Sequence, residues 1–271
     1  MAGTLLLTGC GKMGRALLGG WLDQGVSADN IIVVEPNQAA AKSAADAYGV
    51  NTITSLNDFD GSVSPAMVVF AVKPQVMDDV VPLYAKFADE ESQFLSIAAG
   101  KTIAYFEEKL GPGAAVIRAM PNTPAAVGRA ITVACANANT SAGQKRRSGE
   151  LLEAIGAVTW IDDEALMDAV TAVSGSGPAY VFLLAECLAE AGEAQGLSAE
   201  LSRQLARATV AGAGELLHQA TEPADQLRKN VTSPGGTTAA ALDILMAEDG
   251  LQALLEKAIA EATKRSRELA G

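Results

Sequence analysis

The chain has a single histidine, His218, and only three cysteines, Cys10, Cys135 and Cys187, which lie far apart. One histidine excludes a two-histidine metal site. With no CxxC and no Cys/His cluster, neither a zinc site nor a disulfide framework is indicated. His218 reads as a helix-surface residue, so proton donation falls to other groups. Aromatics make up 4% of the residues, which leaves a mostly aliphatic core. Basic residues are outnumbered 20 to 32, for a net charge of −12. A surface this acidic argues against nucleic acid or anionic membranes as partners, and an anionic ligand would depend on local N–H groups and a few cations. No apolar run reads as long enough to span a membrane, and the first residues lack a basic segment followed by a signal-type apolar core. The expectation is a cytoplasmic protein with no metal, membrane or nucleic-acid partner.

What the chain does have is glycine in telling places. Residues 4–8 form an apolar, strand-like run ending at Thr8. Gly9-Cys10-Gly11-Lys12-Met13-Gly14 follows, a GxGxxG, and residues 15–24 then carry helical spacing with Leu17, Leu18, Trp21 and Leu22 apolar. A second strand, residues 31–35, ends in Glu35, 21 positions after Gly14. Strand, glycine turn, helix, strand and acid in that order give the full dinucleotide-binding context. The first glycine makes the turn, the second admits the pyrophosphate, and the third allows helix and strand to touch. A nicotinamide or flavin nucleotide is implied; the alternative is a glycine-rich corner without a nucleotide. Glu35 would accept from ribose hydroxyls and repel a 2′-phosphate, favouring NADH over NADPH. Pro36-Asn37 follows it, however, and Lys12 or Arg15 could supply positive charge.

The alternation continues through residues 38–161. Strands are expected at 51–53, 67–72, 94–98 and 115–120, with 131–135 and 158–161 as extensions. Helices are expected at 38–48, 76–87, 103–110 and 141–155. The fold class is α/β, a Rossmann-like doubly wound and mainly parallel sheet. Ligands in such sheets bind beyond the carboxyl ends of the strands. Lys73 is the one cation at such an end; the alternative is a solvated loop lysine.

After residue 162 strand signals stop, so the expected organisation is a dinucleotide-binding domain at 1–163 and an all-α domain at 164–271. The helix at 178–195 carries one acidic stripe, Glu186, Glu190 and Glu193, and is otherwise apolar or small. A helix this apolar needs cover on most sides, which points to a partner subunit. Ser198 is an N-cap candidate, and the small-residue run Ala211-Gly212-Ala213-Gly214 suggests close helix contact. The last helix, 251–269, should bury Leu251, Leu254, Leu255, Ala258 and Ile259 and pair Glu261 with Arg265. Between these helices, residues 227–248 break at Pro234-Gly235-Gly236 and resume as a helix at Thr237-Thr238. On local pattern this is either an ordinary helix–turn–helix corner or an anion site built from N–H groups at a helix start.

The longer motifs carry a resemblance. Val231-Thr232-Ser233-Pro234-Gly235-Gly236-Thr237-Thr238 with Ala241-Leu242, Ala71-Val72-Lys73-Pro74, Ser96-Ile97-Ala98-Ala99-Gly100, Arg118-Ala119-Met120-Pro121-Asn122-Thr123-Pro124 and Val173-Ser174-Gly175-Ser176-Gly177-Pro178-Ala179-Tyr180 run in one order across nearly the whole chain. Together they resemble the pyrroline-5-carboxylate reductase family. That resemblance implies NADPH- or NADH-dependent reduction of a cyclic imino acid, 1-pyrroline-5-carboxylate, to L-proline, the last step of proline biosynthesis. It implies a homodimer through the helical domain, commonly assembled into a homodecamer, with each active site shared between subunits.

Residue by residue, Thr238 matches the family threonine that contacts the substrate nitrogen, and is the catalytic candidate. Ser233, Gly236 and Thr237 match the carboxylate-holding group, and Asn230, Val231 and Glu164 match residues lining the site. Thr8, Gly9, Cys10, Gly11, Lys12, Met13 and Gly14, with Glu35, Asn37, Asn57, Ala71, Val72, Lys73, Pro74, Ala98 and Ala99, are the cofactor candidates. Glu35-Pro36-Asn37 departs from the Ser, Thr or Arg that many relatives carry for a 2′-phosphate. Two rivals remain at this point. A β-hydroxyacid dehydrogenase would need a catalytic lysine, and residues 166–220 contain none. A nucleotide-sensing protein signalling through its helices would have no use for an intact turn at 233–238.

Overall fold

A computed structural model describes residues 3–60, 64–89 and 91–270. Its strands are β1 Leu5–Thr8, β2 Ile31–Val34, β3 Asn51–Ile53, β4 Met67–Phe70, β5 Gln93–Ser96, β6 Ala115–Met120, β7 Ala130–Ala136 and β8 Gly156–Trp160. The helices are α1 Lys12–Asp23, α2 Gln38–Tyr48, α3 Met77–Val80, α4 Ile103–Leu110, α5 Ala142–Glu153, α6 Met167–Val170, α7 Gly177–Ala194, α8 Ala199–Gln219, α9 Ala224–Asn230, α10 Thr237–Leu245 and α11 Leu251–Ala270. The chain divides into two compact units, Met1–Gly175 with Thr263–Gly271, and Ser176–Ala262.

The first unit is built on one eight-stranded sheet, ordered β3-β2-β1-β4-β5-β6-β7-β8. All pairings are parallel except β6–β7. The central strands are buried on both faces: every residue of β1 and β4 is buried. This is why they read as unbroken apolar runs and not as alternating patterns. One face carries Leu5, Leu7, Trp21, Val69 and Ile117, and the other Leu6, Phe70, Tyr84, Phe94 and Phe106. The few aromatics are therefore concentrated: Phe70 stacks on Phe94 and Phe106 and meets Tyr84 edge-on. The Trp21 indole N–H donates to the Leu151 carbonyl at 2.9 Å, tying α1 to α5. Helix α5 begins with a capping box, Ser141 and Gln144 each bonding the other's backbone N–H.

Residues 74–87, expected as one helix from 76, are a broken series of 3-10 turns with a single α turn. Pro74 and Pro82 remove donors along the run and hold it in short pieces. Residues 164–175, expected as the opening of the all-α domain, form a 3-10 turn, the short α6, and a π-helical turn at Thr171–Gly175.

The second unit pairs α7 with α8, followed by α9 and α10 and the first part of α11. Ser198 caps α8 as its sequence implies, accepting from the Leu201 N–H. Close approach in this helix pair occurs at Gly192, where an added Cβ would lie 2.9 Å from Ser202 Oγ. The small run at 211–214 behaves differently: Gly212 and Gly214 face open space. Leu251, Leu254 and Leu255 are likewise exposed, and Arg265 pairs with Glu268 at 2.8 Å in place of Glu261. The helical run Glu164–Ala194 also corrects the expectation that no apolar run reaches span length. Within this run an 18-residue window has a mean hydropathy of 1.3, with 11% of it buried, and so reaches span length by length and composition alone. Proline at a helix start does not interrupt a helix.

Candidate active site

The glycine turn between β1 and α1 lies at the carboxyl edge of the sheet and meets the demands of a pyrophosphate site. Gly9 has φ +89, and a Cβ there would press on Ala71 O and Val72 Cγ1. A Cβ on Gly14 would sit 2.5 Å from the Gly9 carbonyl oxygen, so the third glycine is required for helix and strand to touch. Gly11 opens onto empty space and is the N-cap of α1 with no side-chain bond to the helix N–H groups. Those free donors, with the positive end of the helix dipole, are what a phosphate needs. The residues present thus fit a dinucleotide.

Glu35 follows β2 and is pre-oriented: its carboxylate accepts from the Cys10 N–H and the Asn37 N–H, each at 3.0 Å. Asn37 in turn caps α2 by accepting from the Ala40 N–H. Arg15 approaches the same residue from the other side, donating through Nε to the Cys10 carbonyl at 3.2 Å. Burial pushes the Cys10 thiol pKa up, so it stays a neutral packing group. Ala71 and Val72 flank the glycine turn, with the Ala71 N–H donating to the Thr8 carbonyl at 2.8 Å. Lys73 is exposed at the end of this segment and Pro74 starts the next turn. Ala98 is buried, its N–H donating to Ser96 Oγ, while Ala99 is exposed. Asn57 is exposed in the 3-10 turn after β3. Lys12 opens α1 and Met13 packs half-buried against the core. Thr8 does not offer its side chain to the edge: its hydroxyl donates to the buried Tyr84 oxygen at 2.7 Å.

Glu164 is held inside the first unit. Its Oε1 accepts from Arg118 Nη1 at 2.8 Å and from the Ile103 N–H at 2.9 Å. It thereby joins β6, the start of α4 and the start of the helical segment. Arg118 and Asn122 belong to a motif that carries the family resemblance, yet sequence reasoning gives neither a role. The signal for Arg118 is present, since one arginine inside the apolar strand Ala115–Met120 requires a buried acid.

In the second unit, α9 ends at Asn230, whose amide oxygen accepts from Gln226. Val231 is exposed. The turn closes through the Gly236 N–H to the Ser233 carbonyl at 3.1 Å. Gly235 has φ +70, which favours glycine, and a Cβ on Gly236 would lie 2.5 Å from Ser233 Oγ and displace that hydroxyl. Gly236 is the N-cap of α10 and provides no side-chain bond, leaving the N–H groups of Thr237 and Thr238 without helical partners. Thr238 is half-buried and Ser233 exposed. The corner has the donors and glycines of a carboxylate site.

Of two cavities, one borders the glycine-turn region through Lys12 and Arg15 and the other lies in the helical unit. One of about 510 Å³ runs along α1 from Lys12 to Asp23, with Tyr48 and residues 125–128. The other, about 610 Å³, is an apolar groove of the helical unit lined by Val181, Phe182, Ala189 and Val210.

A sheet ordered 3-2-1-4-5-6, a phosphate-ready glycine turn and an acid after β2 define a dinucleotide-dependent oxidoreductase with a helical second unit. Comparison with known proteins sharpens this. Residues 164–269 match the family model described as pyrroline-5-carboxylate reductase dimerisation, and residues 4–100 match NADP oxidoreductase coenzyme F420-dependent. The pyrroline-5-carboxylate reductase of Pseudomonas aeruginosa is 42% identical over 97% of this chain and 95% of its own length. The solved pyrroline-5-carboxylate reductase of Coxiella burnetii covers all of both chains at 32% identity and a TM-score of 0.93. The Plasmodium falciparum pyrroline carboxylate reductase, solved with NADP bound, has a TM-score of 0.81 at 29% identity over 100% of this chain and 99% of that one. The chain belongs to the pyrroline-5-carboxylate reductase family. It is an NAD(P)H-dependent oxidoreductase of proline biosynthesis that acts on a small molecule and carries an oligomerisation domain.

Proposed function

We propose that the chain reduces 1-pyrroline-5-carboxylate to L-proline with the turn at 233–238 as its substrate clamp. The observation that carries this reading is the bare N-terminus of α10: a left-handed Gly235, Gly236 as N-cap and free N–H groups beside the hydroxyls of Ser233, Thr237 and Thr238. The substrate is a cyclic imine with a carboxylate. Ser233, Gly236 and Thr237 hold the carboxylate on backbone N–H groups. Thr238 donates to or orients the imine nitrogen, which makes the neighbouring carbon a better electrophile. Asn230 and Val231 line the ring. No strong acid is needed when the imine arrives protonated, which fits a chain with one histidine. The bound cofactor supplies the hydride, and the protein contributes alignment and exclusion of water.

Gly9, Gly11 and Gly14 with Lys12 seat the pyrophosphate, Glu35 and Asn37 the adenosine ribose, and residues 71–74, Ala98 and Ala99 the remainder of the cleft. Glu35 favours NADH, because its carboxylate is already fixed by two N–H donors and would meet a 2′-phosphate as a like charge. Residues 1–163 form the cofactor domain and 164–271 the dimerisation and substrate domain. The exposed apolar side chains of α7, among them Phe182, Leu183 and Leu184, lie in the stretch that matches a dimerisation model and support burial against a second copy. Each site is then completed by the partner subunit, in a dimer or in a decamer assembled from dimers. The acidic surface supports a cytoplasmic location without nucleic-acid or membrane partners. The test is oxidation of NADH and NADPH on addition of pyrroline-5-carboxylate, with proline identified as product. No oxidation of either cofactor by the folded protein would overturn the reading.

A further inference from the structure

The π-helical turn at Thr171–Gly175 leads into a helix start where one carbonyl lacks its helical donor. In a regular α-helix the Ser174 carbonyl would accept from the N–H of residue 178. That residue is Pro178, which has none. The carbonyl is instead met from outside the helix: Asn122 Nδ2 donates to it at 3.1 Å. Asn122 is 9% exposed, and its Oδ1 accepts from the Ile131 N–H at 3.1 Å, so both ends of the amide are used. The same turn is pressed onto the end of β6, where a Cβ on Gly175 would lie 2.5 Å from Met120 Cε.

Asn122 lies just beyond the end of β6. In a sheet of this order the adenosine half of a dinucleotide lies over β1 to β3 and the nicotinamide half over β4 to β6. Asn122 therefore fixes a π turn at the nicotinamide side of the carboxyl edge, and π turns recur at functional sites. Val173 in the turn is 59% exposed, so the turn presents an apolar side chain to ligand or solvent.

We propose that Asn122 is a positioning residue for hydride transfer: it holds the turn Thr171–Gly175 as a wall of the nicotinamide subsite, against which the imine ring is aligned. The inference rests on the reductase reading above. It acts through geometry, and small displacements of aligned reactants reduce turnover by about 10-fold to 100-fold.

The experiment compares wild type, Asn122→Ala, Asn122→Asp and Pro178→Ala by steady-state kinetics, NADH titration and thermal melting. Wild-type turnover of pyrroline-5-carboxylate tests the reductase reading by itself. Asn122→Asp keeps the size and the acceptor for Ile131 but removes the donor to Ser174. Pro178→Ala restores an N–H that competes with Asn122 for the Ser174 carbonyl. The expected result is a loss of about 10-fold or more in kcat/KM for the imine in all three variants, with the NADH Kd within about twofold of wild type. A merely structural Asn122 would lower the melting temperature and leave kcat/KM of the folded fraction unchanged. That outcome, or an NADH Kd weakened in proportion to the lost turnover, overturns the proposal. Should Asn122→Ala fail to fold, wild-type kinetics in Asn122→Asp overturns it equally.

Discussion

Replacing Glu164 by alanine separates a structural role from a substrate-binding one. Its carboxylate accepts from Arg118, whose side chain is 6% exposed, and from the Ile103 N–H. Deleting it strands a buried guanidinium and an N–H at the start of α4. Breaking a buried pair by removing one partner costs about 3–5 kcal/mol. The Glu164 side chain is 26% exposed, so water relieves part of the loss and the lower end, about 3 kcal/mol, is expected. At about 2–4 °C per kcal/mol for a domain of this size, the melting temperature should fall by about 6–12 °C. Removing both charges together, as Arg118→Met with Glu164→Ala, should recover most of that loss, because no buried charge is then left alone. Glu164→Gln should melt between wild type and Glu164→Ala, with kcat/KM for the imine within about threefold of wild type. The assay is thermal unfolding of all four proteins, with kinetics at a temperature where each is folded. A Glu164→Ala protein melting within about 2 °C of wild type, equivalent to about 1 kcal/mol or less, would refute the reasoning. So would a double variant no more stable than the single one.

Other perturbations follow from the same geometry. Glu35→Ser removes the like charge facing a 2′-phosphate, and the NADPH to NADH ratio of kcat/KM should rise about 10-fold, equivalent to about 1.4 kcal/mol; an unchanged ratio would mean that the carboxylate does not face the ribose. Burial pushes the Tyr84 pKa up to about 12, against which the hydrogen bond from Thr8 acts weakly. The folded state then keeps its proton where the unfolded chain has lost it. This stability is full below about pH 10 and declines as pH rises toward 12, by about 2–3 kcal/mol in all. Alkaline unfolding curves should show that decline, and Tyr84→Phe should flatten it; an equal slope in the variant would show that Tyr84 is not its source.

Much of this molecule is legible in its amino-acid sequence. The central strands β1 and β4 are short, fully buried and mostly apolar runs, and burial on both faces is what leaves them without alternation. GxGxxG can be placed because a strand precedes it and a helix and an acid follow. The glycines of the 233–238 turn can be placed because the chain turns through a left-handed conformation at Gly235 and packs Gly236 against Ser233. Less legible is whatever depends on a distant partner. The Thr8 hydroxyl looks available at a strand end, but it donates a hydrogen bond to Tyr84, 76 residues away. The link from Glu164 to Arg118 spans 46 residues, and nothing in local spacing announces it. The bond to the Ser174 carbonyl needs Pro178 and Asn122 to be considered together. Leu251, Leu254 and Leu255 follow a correct amphipathic pattern and are still exposed, because a single chain does not contain the surface they are patterned for.

The central claim is that the turn before α10 holds the imino acid and that Thr238 contacts its nitrogen. Its most direct measurement is kcat/KM for pyrroline-5-carboxylate in Thr238→Ala, beside an NADH titration. The account predicts a loss of about 10-fold or more in turnover, the scale of one positioning or proton-donating contact, with NADH affinity unchanged. Wild-type turnover in that variant would contradict it.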